Sequence, residues 1–166
     1  RGQACPSVQT FFAQVHEKQV FCYANANLTR DEQTQEVLRF VDYWHDLTGR
    51  NPEWLYFDSK LTTYAELSEL NSRGIFFATI RRRGAAILKR LRRTAKTDWQ
   101  SATIDIPKRR HQRIQFLDES LALDEYEGPL RQIAVTGLGR EQPTLFLANH
   151  SDVSPREMIM HYARRN

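Results

Sequence analysis

Cysteine is almost missing: Cys5 and Cys22 are the only two in 166 residues, too few and too arbitrarily spaced for a disulfide framework or a structural zinc site, so reduced thiols are expected. His16, His45, His111, His150 and His161 are scattered without metal-ligand spacing. Ser59 lies beside an aspartate but has no evident histidine partner, which argues against a hydrolase triad. No apolar stretch approaches the roughly 18 residues of a membrane span. Residues 1–7 do not resemble a signal peptide. A soluble chain expected in the cytosol follows, with no membrane partner. Also missing are an initiator methionine and any stop signal after the last helix, so the sequence reads as part of a longer chain.

What is present is ordinary in amount and uneven in placement. With 40% hydrophobic and 27% charged residues, the chain has the composition of one globular domain able to bury a core, not of a disordered or fibrous protein. The net charge is only +4. Yet Arg81, Arg82, Arg83, Lys89, Arg90, Arg92, Arg93, Lys96, Lys108, Arg109, Arg110 and Arg113 crowd one stretch that holds just two acids, Asp98 and Asp105. Such a density points to a polyanion, most simply nucleic acid. The plainer alternative is a solvated basic face.

Periodicity separates the chain into elements. SVQTFFAQV and KQVFCYANA alternate like two strands joined at HEK. From Leu28 to Gly49 the spacing becomes helical, with Val37, Leu38, Val41, Trp44 and Leu47 on one side. Thr29 and Glu32 form a capping box, and Gly49 is a stop. WLYF is a buried strand, followed by a helix boxed by Thr63 and Glu66, carrying Leu67 and Leu70, and ended by Gly74. IFFATI is the next strand, and the strand-helix-strand unit is predicted to be parallel. GAAILKRLRRTA is a short basic helix. TDWQSATIDI, QRIQFLD, LRQIAVTG and PTLFLAN read as further strands, with DESLALDEYEG as an acidic connection and GLGR as a hairpin turn. Ser154, Pro155 and Glu157 open a last helix. Trp44 and Trp54 are expected in the core, while Trp99 is read as either packed or stacked on a base.

The order of these elements is that of an RNase H-like fold. WLYF ends in Asp58 at the carboxyl edge of the sheet, where open α/β sheets place ligands and catalytic groups. By itself Asp58 is either such a group or the start of a turn.

YANANLT, WLYFDSKLTTYAELSELNSRGIFFATIRRRG, LRQIAVTGLGREQPTLFLAN and the closing YARR resemble the bacterial insertion-sequence transposases that carry a DDE carboxylate triad. The similarity runs over nearly the whole chain. It implies an α/β fold with an RNase H-like mixed sheet, flanking helices and a β-rich insertion before the last helix. Residues 1–80 would be the first part of the core without its first strand. Residues 81–143 would be the basic helix and insertion, and 144–166 the last core strand with the start of the C-terminal helix.

The resemblance makes Asp58 the second catalytic, metal-binding carboxylate. The first would lie on a strand before Arg1. Tyr162 and Arg165 match the first half of the family's Tyr-x-x-Arg-x-x-x-Glu signature, whose Glu would fall three residues beyond Asn166. The implied cofactor is Mg²⁺ or Mn²⁺ in a two-metal site, and the implied partner is double-stranded DNA, both transposon ends and target. The parent protein would act as a dimer on paired ends, and this piece alone would be inactive. Arg81, Arg82, Arg83, Lys89, Arg90, Arg92, Arg93, Lys108, Arg109, Arg110, Arg113, Tyr162 and Arg165 are the expected DNA contacts. The competing expectations are a decayed or domesticated DNA-binding remnant, and an RNase H-like nuclease that cleaves without strand transfer.

Overall fold

The structure, a computed structural model, describes residues 9–16, 18–29, 31–105 and 112–163. Within them lie eight strands and four α-helices of a mixed α/β architecture. The first two strands, β1 (Gln9–Val15) and β2 (Val20–Leu28), form an antiparallel hairpin that is a sheet of its own. After α1 (Glu36–Thr48) come β3 (Trp54–Phe57), α2 (Tyr64–Ser72), β4 (Phe76–Ile80), α3 (Ala85–Arg93), β5 (Gln100–Thr103), β6 (Arg113–Leu121), β7 (Leu130–Thr136), β8 (Thr144–Ala148) and α4 (Pro155–Ala163). The six later strands make one sheet in the order β3-β4-β8-β7-β6-β5. Only β3 and β4 are parallel, as the helical crossover between them predicts. The strands within 81–143 extend this same sheet.

Period-2 alternation assigns the sheet's two faces. Ala78, Ile133, Val135, Phe146 and Ala148 point toward α4 and pack with Met158 and Ile159. On the opposite face Phe57, Phe77 and Leu130 pack with Val37 and Val41 of α1 and Leu67 and Leu70 of α2. Beyond them Ala134 and Leu145 receive Leu91 of α3, with Trp99 against the same cluster. Covered on both faces, β8 is buried along its whole length. That explains why TLFLA is a continuous apolar run without alternation.

Helix ends follow their caps closely. The Thr63 and Glu66 box is complete at α2, and Ser154 with Glu157 repeats it at α4. At the first helix the expectation needs correction. Thr29 does bond to the Glu32 carboxylate, but a 3₁₀ turn over Gln33–Gln35 intervenes and α1 begins only at Glu36. Its buried side is Val37, Phe40 and Val41, whereas Leu47 is 64% exposed. Leu38 and Trp44 are partly buried on the same side, so only the last position of the expected stripe departs. Likewise β6 runs on through Glu119, Ser120 and Leu121, because pairing with β7 overrides the polar character of that segment.

Polar groups tie the elements together. Glu36 is fully buried, accepting from the Tyr23 hydroxyl and the Asn25 amide at 2.9 Å each and from Arg39 at 3.3 Å. Burial, and then the Glu36 carboxylate, push the Tyr23 hydroxyl up to about 12. The stretch YANANLT thus fastens the hairpin to α1. Arg131 grips Asp118 with two nitrogens and donates to the carbonyls of Ser151 and Val153, holding the approach to α4. Gly137 turns β7 into β8 at φ +84, where a Cβ would stand 2.6 Å from the Arg113 carbonyl oxygen. No other residue fits there.

Asn149, just past β8, accepts from the Phe77 amide at 2.8 Å and donates to the Ile75 carbonyl at 3.0 Å. Replacing it strands two backbone groups at the buried start of β4. Asn149→Ala is expected to lower stability by about 2 kcal/mol, following the cost of unsatisfied buried groups, as read from urea unfolding.

Candidate functional site

A parallel strand pair brings its two carboxyl ends to one edge. In the β3–β4 register Phe57 lies opposite Thr79, so Asp58 stands opposite Ile80 and one residue short of Arg81. Asp58 is exposed and caps the 3₁₀ turn Ser59–Leu61. Its Oδ1 accepts from the Lys60 amide at 3.2 Å and the Ser59 hydroxyl at 3.4 Å. Oδ2 takes no hydrogen bond among the described residues. Turn starter and presented carboxylate are therefore both true of Asp58.

Beside this aspartate runs a cleft of about 1090 Å³. Every residue of β1 lines one side and every residue of β3 lines the other, with Asp58 and Leu61 at one end. Val37, Phe40 and Trp44 of α1 lie behind, and Val153 and His161 border it from the α4 side. Among the described residues both lining strands are edges: β1 pairs only with β2, and β3 only with β4. Unpaired N–H and C=O groups thus border the cleft from either side. The Nε2 of His16, between Tyr56 and His161 at ring distances of 6.0 and 5.4 Å, is buried without a hydrogen-bond partner. On the outer hairpin Phe12 and Phe21 meet as a tilted ring pair at 5.3 Å yet remain more than half exposed.

The basic residues divide into two sets. Arg82, Arg83, Lys89, Arg92, Arg93 and Arg113 are exposed, and their side chains make no hydrogen bond or ion pair among the described residues. Lys89, Arg92 and Arg93 are spaced three and four apart, which puts them on one outward face of α3. Arg81 and Arg90 are engaged instead. Arg90 forks onto both oxygens of Glu119 at 2.5 and 2.7 Å, and Arg81 donates to the Gln132 side chain at 2.6 Å. Tyr162 is half-buried, its ring edge-on to Phe146 at 5.2 Å. Lys108, Arg109, Arg110 and Arg165 lie outside the described residues.

Among the described residues no three His, Cys, Asp or Glu side chains gather as metal ligands. Asp58 and Glu53 are the two carboxylates that line the cleft; Mg²⁺ takes one or two carboxylates together with water and phosphate oxygens.

Neither the cleft nor the partners of Arg81 were anticipated from sequence. The link from Arg81 to Gln132 spans 51 positions, and no periodicity encodes it. The cleft exists because β1 and β3 fail to pair with each other, which only the sheet order reveals. No described helix is long and apolar enough to cross a membrane. Comparison with protein-family models and with curated proteins gives no match for this chain.

The Arg90 guanidinium holds the Glu119 carboxyl below the usual range, with Gln132 and the more distant Arg81 adding to the effect. A depressed folded-state pKa contributes stability above the unfolded carboxyl range and loses it as pH falls through the folded value. Arg90→Met is therefore expected to narrow the loss of melting temperature on acidification from about pH 6 to about pH 3. Thermal unfolding followed by circular dichroism across that range checks it.

Proposed function

We propose that this chain is the middle and C-terminal part of an RNase H-like, DDE-type DNA transposase core, in which Asp58 is one of three catalytic carboxylates. One observation carries the reading: Asp58 stands at the end of a cleft bounded by two unpaired strand edges. The resemblance calls for a strand before β1 that bears another aspartate, and a strand between β1 and β3 is what this cleft has room and hydrogen-bonding groups to accept. Placed there, its carboxylate would come to the same edge as Asp58. The third would follow on the continuation of α4, beyond the Tyr162 and Arg165 pair.

The reaction class explains the residue types. Cutting a phosphodiester and joining its 3′ hydroxyl to new DNA are in-line displacements. What Mg²⁺ or Mn²⁺ supplies in such sites is a clamp, two ions about 3.5 to 4 Å apart on attacking and leaving oxygens. Asp58 would hold its share of that charge from a fixed strand end. The exposed cations Arg82, Arg83, Lys89, Arg92, Arg93 and Arg113 would hold the duplex by its phosphates, giving affinity without much sequence information. A dimer on paired transposon ends is the working assembly this reading implies, acting on DNA in the cytosol.

Two measurements test the proposal. The 166 residues by themselves are expected to bind duplex DNA with an affinity that falls steeply with salt and to leave it uncut. Magnesium-dependent nicking by them that disappears in Asp58→Ala would refute the missing-partner part. The same chain extended by its flanking reading frame is expected to cleave and join DNA, with Asp58→Ala reducing both at least about a hundredfold. Cleavage without joining would favour a nuclease. Binding alone would favour a domesticated remnant.

A further inference from the structure

Five described arginines have hydrogen-bonded guanidinium groups, and four of them meet carboxylates. Arg39 bonds Glu32 and Glu36, Arg73 bonds Asp42 and Glu69, Arg90 bonds Glu119, and Arg131 bonds Asp118. Arg81 is the exception. Its Nη1 donates to the side-chain oxygen of Gln132 at 2.6 Å and its Nε to the Tyr64 hydroxyl at 3.4 Å, both neutral groups. A half-buried cation with only neutral partners is oriented and partly desolvated but not neutralised.

One residue stands between Arg81 and the Glu119 carboxylate. Gln132 on β7 is fully buried. Its Nε2 donates to Glu119 Oε1 at 2.5 Å, while its Oε1 faces Arg81. A glutamine amide carries donors at one end and an acceptor at the other. The carboxylate on one side and the guanidinium on the other therefore admit a single orientation. Arg90 occupies both Glu119 oxygens, which leaves that anion with no oxygen unclaimed. The strand registers place Glu119, Gln132, Leu147 and Thr79 in one row across the sheet, so this chain of contacts runs along one face toward β4.

We infer that Gln132 is a positioning residue: a neutral spacer that keeps the Arg81 guanidinium aimed and un-neutralised at the carboxyl edge of β3 and β4, ready for a backbone phosphate beside Asp58. The inference rests on the nucleic-acid reading above and sharpens it, because it singles out one cation among many by its surroundings. The Glu119 and Arg90 ion pair anchors the spacer to α3, tying the basic helix to the same edge. Glutamate at position 132 would keep the bond to Arg81 and cancel its charge. Methionine would keep the volume and leave the charge alone.

The test measures binding of a fluorescent DNA duplex over a series of salt concentrations by the 166-residue chain and by Arg81→Gln, Gln132→Glu, Gln132→Met and Arg92→Gln/Arg93→Gln. Arg81→Gln and Gln132→Glu are each expected to weaken binding about tenfold at low salt and to reduce the slope of log affinity against log salt by about one. Gln132→Met is expected to keep the slope. A merely structural role would make Glu and Met behave alike. In the unmodified chain the Arg81 Nε–H resonance, assigned through its loss in Arg81→Lys, is expected to shift when duplex is added, a readout independent of whether any variant at 132 folds. An unmoved resonance, or a wild-type slope in Gln132→Glu, overturns the inference. Binding that depends on Arg92 and Arg93 but not on Arg81 overturns it alone, whereas an unmodified chain that binds no duplex sinks the nucleic-acid reading as well.

Discussion

The arrangement depends on one strand and its unequal edges. Among the described residues β3 is paired in parallel with β4 on one side and unpaired on the other. Its paired edge brings Asp58 into line with the end of β4, and its open edge makes one wall of the cleft. Four residues therefore do two jobs that pull in opposite directions. Pairing makes the carboxyl end rigid enough to present a side chain, while the bare edge leaves backbone donors and acceptors to be met by another strand or by water. The hairpin faces it with a second bare edge across an apolar space, which water fills poorly.

Electrostatics is organised on the same edge. Most of the engaged arginines in this fold are structural: Arg131 secures the approach to α4, Arg73 joins α2 to α1, and Arg39 belongs to the Glu36 cluster. Each is matched by acid, so none adds to the field. In the basic stretch, the outward face of α3, with Arg82, Arg83 and Arg113, and the guanidinium of Arg81 behind its glutamine spacer stay free of ion pairs among the described residues. The count of basic residues in this stretch thus overstates the charge available to a polyanion. Arg90 is the clearest case, since Glu119 claims it with two bonds.

Much of the architecture was legible because its signals are local. The caps at Thr63 and Ser154, the stop at Gly49, the turn at Gly137 and the parallel β3–β4 pair all follow from residues within a few positions of one another. Two expectations were off at element ends. The start of α1 was set by a Thr29 cap that forms but leads into a 3₁₀ turn, and the end of β6 was set by polarity where pairing with β7 decides. In β6 a tertiary partner outweighed the local preference, whereas at α1 local turn bonds among Thr29, Glu32 and Gln35 delayed the helix. Trp99, open between stacking and packing on sequence grounds, packs beside Leu91.

Residue identity alone determined that Asp58 follows a strand, that a basic helix follows β4, and that the chain builds a mixed α/β core, because these are consequences of spacing, caps and turn chemistry. That β3 is, among the described residues, an edge strand with only Phe57 buried is a correction from the structure. Tertiary structure alone decided which charges are free. It set the hairpin apart from the main sheet, opened the cleft between β1 and β3, and placed Gln132 between Arg81 and Glu119. The physical reason is distance along the chain: hydrophobic period and capping act over a few residues, whereas the neutralisation of a charge or the pairing of a strand edge depends on groups tens of positions away, brought together only when the sheet closes.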